Sequence, residues 1–197
     1  KLVLNDENAN GTIKETFAAP TKDLTILIAF NNAIKDNAAA YQDMTVTVNG
    51  SDLAAPIVTN LGTGVAFDAT HSVYTVTIAD QLTKNSAYTV TVEGAGYRTA
   101  RYTVTMTADK TLNFWNNVKS AAAYIEEGVG TAKTSNFLAG DIVKDGKINV
   151  YDLSAVVSYF GTTNATGAVS PNAKYDLNRD GVIDSKDVAY VLVSWGE

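Results

Sequence analysis

Acidic side chains in the last third of the chain stand at spacings that suit metal binding. Two segments align without gaps at an offset of 35 residues: DIVKDGKINVYDLSAVVSYFG from Asp141 and DLNRDGVIDSKDVAYVLVSWG from Asp176. Every acidic residue after position 138 except Glu197 falls at a potential ligand position of one copy. Ca²⁺ takes six or more hard oxygen ligands at such spacings, whereas Mg²⁺ prefers a tighter octahedron. The repeat therefore predicts two calcium sites.

Each copy begins with a 12-residue loop that resembles the calcium loop of an EF-hand. Glycine at position 6 permits the sharp turn, and the residue at position 7 would offer its backbone carbonyl. Position 3 of the first loop is Val143, which has no side-chain oxygen, so we expect weaker calcium binding there than in the second loop. The predicted ligands are Asp141, Asp145, Lys147, Asn149 and Asp152, and then Asp176, Asn178, Asp180, Val182, Asp184 and Asp187.

Apolar residues at helical spacing follow both loops and predict two short amphipathic helices. Gly161 and Gly196 stand where these helices would end. The residues before each loop look extended or turn-like, so the entering helix of a true EF-hand is not expected. A calcium sensor needs both helices to reorient, so a structural role for calcium is favoured. The stripes expected to pack inward are Leu153, Val156, Val157 and Phe160, and Val188, Val191, Leu192 and Trp195.

The first two-thirds of the chain repeat an alternation of apolar residues and threonine that is typical of strands with one buried face. It occurs from Met44, Tyr74, Tyr88 and Tyr102, and further strands are predicted at 2–4, 12–17, 24–30 and 111–115. This number of short strands predicts an all-β, antiparallel sandwich of immunoglobulin-like type. Tyrosines 74, 88, 97 and 102 are expected in the core or in cross-strand pairs, rather than in a sugar-binding platform.

Composition excludes several classes of function. The 197 residues carry a net charge of −6 and no cysteine, which excludes a disulfide framework and a thiolate metal centre. A nucleic-acid binder would show a basic face, and no apolar run is long enough for membrane insertion. The lone histidine, His71, lies beside a predicted turn, and no acid/base or nucleophile constellation is present. We therefore expect that the chain is not an enzyme.

The two repeats, with Asp at position 12 and starts reading GDIVKDGKIN and YDLNRDGVID, resemble a dockerin with two calcium F-hand loops. The first start is similar to the type II dockerins of cellulosomal scaffoldins, which follow an immunoglobulin-like X module. The resemblance implies a β-sandwich X module with linker over 1–135 and a small α-helical dockerin over 136–197. It also implies two Ca²⁺ ions and, as partner, the cohesin module of another scaffoldin. The protein would be secreted and held at the cell surface through that cohesin, with polysaccharide contacted only through other modules.

Dockerins carry recognition at loop positions 10 and 11 and along the outer faces of the helices that follow. The corresponding partner-binding residues are Val150, Tyr151, Ser154 and Ser158, and Ser185, Lys186, Ala189, Tyr190 and Val193. Because Val-Tyr in one copy stands against Ser-Lys in the other, we expect one dominant binding orientation. Phe137 to Gly140, just before the first loop, is expected to dock against the sandwich.

The sequence is also compatible with two other interpretations. The dockerin could belong to a secreted glycoside hydrolase, with the β-sandwich as an accessory carbohydrate-binding module. It could also be part of a calcium-dependent adhesin without a cohesin partner. Cohesin repeats upstream of Lys1 would favour the scaffoldin, and a catalytic domain there would favour the hydrolase.

Overall fold

The computed structural model of the chain describes residues 3–5, 14–16, 18–29, 43–70, 73–115, 137–163 and 171–196. His71 and the predicted domain boundary at 135/136 lie outside the described residues. No helix in the described ranges is long and apolar enough to cross a membrane.

The N-terminal part is a sandwich of two four-stranded sheets, with a separate two-stranded ribbon. One sheet has the order β10-β3-β7-β6, the other β5-β4-β8-β9, and β1 and β2 form the ribbon. The strands are β1 Val3–Asn5, β2 Lys14–Thr16, β3 Thr21–Ala29, β4 Thr45–Asn49, β5 Ile57–Asn60, β6 Ala66–Asp68, β7 Val73–Thr83, β8 Ala87–Glu93, β9 Ala100–Thr105 and β10 Lys110–Trp115.

Alternating side chains build the core of this sandwich, as the sequence predicts. Along β8, Tyr88, Val90 and Val92 are fully buried, while Thr89 and Thr91 between them are only partly covered. Tyr74 and Tyr97 are fully buried as well, so the core interpretation of these tyrosines is confirmed. A buried ring cannot serve as a sugar platform, which removes the basis for a carbohydrate-binding surface at these positions.

One strand pair departs from the predicted antiparallel arrangement. β10 runs parallel to β3, with Leu112 opposite Ile26 and Phe114 opposite Ile28, whereas the other strand pairs among the described residues are antiparallel. Parallel neighbours need a crossover connection, and here the whole of β4 to β9 separates the two strands. The short strands β5 and β6 were not predicted, because four and three residues carry too little alternation to stand out.

Two helices, α1 (Val150–Ser158) and α2 (Ser185–Val193), follow the two repeated loops. Both begin with a capping box: Asn149 and Asp184 accept a bond from the second residue of their helix, and the third helical residue bonds back to the cap. In the described residues before each loop there is no entering helix, as predicted. Val156 and Val191 insert into a buried cluster that continues into the sandwich.

The predicted inward stripes are only half right. Val156 and Val191 are fully buried, and Leu153 and Val188 pack partly against the core. The other four members are exposed by 46 to 55%, namely Val157, Phe160, Leu192 and Trp195. The helices are rotated so that the acidic residues Asp152 and Asp187 lie inward instead. Apolar surface is thereby left on the outer face of both helices.

Candidate metal loops and partner surface

The two loops share one backbone conformation. Position 4 is left-handed in both, with φ of 58° at Lys144 and 59° at Arg179, and the glycines at position 6 have φ of 80° and 92°. The amides of Gly146 and Gly181 each donate to the carboxylate at position 1, over 3.2 and 3.0 Å. The two loops thus adopt the same turn.

The aspartate at position 12 of each loop is buried and accepts hydrogen bonds from backbone amides of the same loop. Asp187 is fully buried, and its carboxylate accepts bonds from the amides of Leu177 (2.7 Å), Asn178 (3.3 Å) and Asp184 (2.8 Å). Asp152 accepts the equivalent three bonds in the first loop. One side chain therefore ties the start of each loop to the first turn of its helix.

Burial leaves these carboxylates poorly hydrated. It raises the pKa of Asp187 to about 6 and also raises the pKa of Asp141, where nearby Lys144 pulls in the opposite direction. Burial would likewise raise the pKa of Asp180, but hydrogen bonds from Lys186 and Asn178 leave it below its usual value. A desolvated carboxylate gains most from a cation placed beside it.

The donor set of each loop fits a hard cation. Each loop brings three or more carboxylates, an amide or carboxylate at position 9 and a backbone carbonyl at position 7, all oxygen ligands of the kind Ca²⁺ prefers. Within the described ranges, no three Asp, Glu, His or Cys side chains converge on one point. The carboxylates at positions 1 and 12 are turned toward backbone amides instead, and the ligand assignment stays a prediction.

Backbone hydrogen bonds join the loop of each repeat to the segment that follows the helix of the other repeat. At position 8, the carbonyl of Ile148 accepts from Gly196 at the end of α2, and that of Ile183 accepts from Gly161 after α1. Ile183 also donates to Thr162. Both isoleucines are fully buried, and each bonds to the glycine that follows the opposite helix.

The turn between β8 and β9, residues Gly94 to Tyr97, inserts between the two loops; we call it the wedge turn. The ammonium of Lys144 donates to the carbonyls of Gly94 (2.7 Å) and Tyr97, and burial lowers its pKa. Arg179, the equivalent residue of the second loop, donates to the carbonyl of Ala95 over 3.0 Å. Both position-4 side chains thus point away from their loops and into the sandwich.

Arg179 also forms an ion pair with Asp43, just before β4, over 2.8 Å. Its side chain is only 1% exposed, and its guanidinium lies 6.0 Å from the ring centroid of Tyr97. Asp43 accepts a second bond from the amide of Ala95 over 2.9 Å. A buried arginine needs such a partner, because an unpaired charge out of water is costly.

Residues Phe137 to Gly140 dock on the sandwich, as predicted. Ala139 forms a β-bridge with Tyr97, and Phe137 stacks on the Tyr97 ring at 4.8 Å between centroids. The Tyr97 hydroxyl donates to the carbonyl of Leu177 in the second loop. Tyr97 therefore contacts both the segment before the first loop and the second loop itself.

The wedge turn has no room for a larger residue at Gly96. Its φ is 77°, and a Cβ there would collide with the carbonyl of Lys174 and lie 2.7 Å from Leu177. We expect Gly96→Ala to lower the free energy of unfolding by at least about 2 kcal/mol, measured by urea denaturation. Gly64, at φ of 69° with open space around it, is the matched control, and its alanine variant should lose only about 1 kcal/mol. Equal losses would mean that the wedge turn is not tightly packed.

Most of the predicted partner-binding residues are exposed to solvent. Val150, Tyr151 and Val193 are 53, 68 and 63% exposed, and Ser154, Ser158, Ser185, Lys186 and Ala189 are exposed as well. Tyr190 differs: it packs partly against the core, and burial raises its pKa to about 12. Lys186 reaches back over 2.6 Å to Asp180, a predicted ligand. Val157 and Leu192, which were not predicted as partner-binding residues, are further exposed apolar residues of the same two helices.

Comparison with known proteins agrees with this organisation. Residues 139–192 match the sequence model of the dockerin type I domain. Two solved structures of a type II cohesin–X–dockerin complex from Acetivibrio cellulolyticus, an N-terminal and a C-terminal interface mutant, match at a TM-score of 0.54. Sequence identities are 23 and 24%, and each match covers 89% of this chain and 96% of that chain. No curated protein matches the chain in sequence.

The family match covers the two repeats, and the structural matches cover the sandwich as well. Dockerin domains are in general calcium-binding modules without catalytic activity, which agrees with the two repeated loops. The solved structures extend the likeness across the sandwich, at the level of the fold. Residues 139–192 therefore match the dockerin family, and the chain as a whole has the fold of an X module followed by a dockerin.

Proposed function

We propose that this chain is a calcium-dependent attachment module whose dockerin binds a cohesin. The observation that carries the proposal is the apolar surface exposed on α1 and α2, the helices that directly follow the two predicted calcium loops; it includes Tyr151, Leu192 and Val193. A surface of this kind, with an aromatic anchor, suits a protein partner. The dockerin match and the complex in which the matching structures were solved supply the partner class.

We assign two Ca²⁺ ions, one to each loop, with the predicted ligands unchanged. The metal would supply positive charge among buried carboxylates and hold positions 1, 3, 5, 7, 9 and 12 together. The first loop should bind the more weakly, because Val143 at position 3 offers no oxygen. Metal binding would then contribute to the folding of the dockerin.

In this proposal residues 1–135 form the X module with its linker, and residues 136–197 form the dockerin. The wedge turn and the Arg179–Asp43 pair support a stabilising role for the sandwich, because they contact both loops. The parent protein would be a scaffoldin that is secreted and fixed to the cell surface through the cohesin of another scaffoldin.

A direct test is isothermal titration of the full chain against a panel of type I and type II cohesins, with Ca²⁺ and then with EDTA. We expect tight binding to a type II cohesin in Ca²⁺ and a large loss of affinity in EDTA. No binding to any cohesin would refute the partner class. Binding that EDTA leaves unchanged would refute the calcium dependence.

Within this test, Val150→Ala with Tyr151→Ala should lower cohesin affinity at least about tenfold. Both side chains are more than half exposed, so the fold should be retained, and the lost area is that of the predicted aromatic anchor. Val58→Ala is the matched control, since Val58 is 62% exposed on β5 of the sandwich. An affinity within about twofold of the unaltered chain would contradict the assignment and the single binding orientation that depends on it.

A further inference from the structure

The joint between sandwich and dockerin uses the same position of both calcium loops. Lys144 and Arg179 occupy position 4 of their loops, next to the predicted ligands Asp145 and Asp180 at position 5, and both extend toward the wedge turn. Their anchors differ in kind. Lys144 donates to two backbone carbonyls and interacts with Asp43 only through charge, whereas Arg179 forms a direct ion pair with the carboxylate of Asp43 over 2.8 Å. The second loop therefore depends on one side chain of the sandwich.

Position 4 is also the strained point of each loop. Arg179 has a φ of 59°, in the left-handed region that a residue with a Cβ adopts only at a free-energy cost. A strained backbone conformation of this kind persists where the surrounding contacts hold it in place. Here the surroundings are the ion pair with Asp43 and the bond to Ala95.

The strained residue orients its neighbours. With Arg179 left-handed, the amide of Asp180 donates to the side chain of Asn178 over 3.0 Å, and Val182 donates to Asp180 over 3.1 Å. Asn178 and Asp180 are the predicted ligands at positions 3 and 5. A loop that leaves this conformation loses both ligands together, and its apparent affinity falls with the fraction of competent loop.

We propose that Asp43, through Arg179, is a positioning residue for calcium in the second loop. The sandwich carboxylate holds Arg179 in the left-handed conformation, which presets Asn178 and Asp180 for the ion. Asp43 itself does not contact the metal. This inference rests on the proposed calcium sites and adds a determinant of affinity that lies more than a hundred residues away in the sequence.

The test measures each loop separately in the full chain by calorimetric titration with Ca²⁺ alone. Asp145→Ala removes a ligand of the first loop and leaves the second to be measured, and Asp180→Ala does the reverse. In the first background, Asp43→Asn should raise the Kd of the second loop by roughly 10- to 100-fold, the range typical of partners that orient a metal ligand. In the second background, the same change should leave the first loop within about threefold.

Asp109→Asn is the matched control, because Asp109 pairs with Lys22 on the exposed side of the sandwich and should leave both loops unchanged. A merely structural loosening of the joint would weaken both loops, since the wedge turn contacts both. If Asp43→Asn fails to fold, judged by circular dichroism, Arg179→Lys serves instead and should again weaken the second loop selectively. If both loops of the Asp43→Asn variant bind calcium and the Kd of the second loop is unchanged, the inference is wrong. If the unaltered chain binds no calcium, the proposed function is wrong.

Discussion

Replacing Asp187 by alanine should cost about 3–5 kcal/mol of folding free energy even in EDTA. The buried carboxylate accepts three backbone amide bonds, one of them buried and two part-buried, and the variant leaves those donors without this acceptor. Each unsatisfied buried donor costs about 1–3 kcal/mol. Urea denaturation in EDTA, followed by circular dichroism, measures the loss without any contribution from metal binding.

Asp180→Ala is the matched control for this experiment. Asp180 is also a predicted calcium ligand, but it lies at the surface, where water can replace its bonds to Asn178, Val182 and Lys186. We expect this variant to lose less than about 1 kcal/mol in EDTA. If both variants lost the same amount, the carboxylate at position 12 would have no structural role apart from the metal.

Leu192→Glu should strongly weaken cohesin binding and leave the fold intact. Leu192 is 53% exposed beside Val193 on the outer face of α2, so glutamate can reach water in the free protein. In a complex the same charge would be buried among apolar groups without a partner, which is strongly unfavourable. We expect the Kd for cohesin to rise at least about 100-fold, equivalent to about 2.8 kcal/mol.

Val58→Glu is the corresponding control, because it places the same charge at an exposed valine of the sandwich. It should leave cohesin affinity within about threefold. Thermal unfolding of Leu192→Glu in Ca²⁺ should stay within a few degrees of the unaltered chain. A large fall in stability would mean that Leu192 packs inward, as the helical stripe in the sequence predicts, and not outward.

The strands of the sandwich were predictable because threonine and apolar residues alternate without interruption. The four repeated stretches correspond to β4, β7, β8 and β9, although β7 continues to Thr83, beyond the predicted stretch. Which strands pair with each other, and in which direction, was harder to predict from the sequence. The parallel contact of β10 with β3 joins segments about eighty residues apart, and nothing local to Leu112 or Phe114 distinguishes a parallel from an antiparallel neighbour.

The two helices show where hydrophobic periodicity misleads. A stripe of valine, leucine and aromatic residues normally marks the buried face, yet here the buried face centres on Asp152 and Asp187. These carboxylates turn inward because backbone amides of the loop bind them. Apolar periodicity cannot register a buried acidic residue, so it assigned Val157 and Leu192 to the wrong side.

The joint between the two halves was predicted only in part. Docking of residues 137–140 follows from an apolar segment next to a sandwich. Asp43 and Arg179, however, are single charged residues far apart in the sequence, and each is typical of a solvated surface. Only the left-handed backbone at position 4 and the buried guanidinium show that Arg179 belongs to an interface.

The exchange of bonds between Ile148 and Gly196, and between Ile183 and Gly161, gives the dockerin the symmetry of an isologous dimer. Each repeat behaves as a subunit whose loop is finished by the other subunit's helix, and the connecting segment makes the pairing intramolecular. In an isolated repeat, the isoleucine at position 8 would lack the backbone hydrogen-bond partner that the other repeat supplies. A single copy is therefore half of a folding unit, and it would have to find a second copy from another chain to be complete.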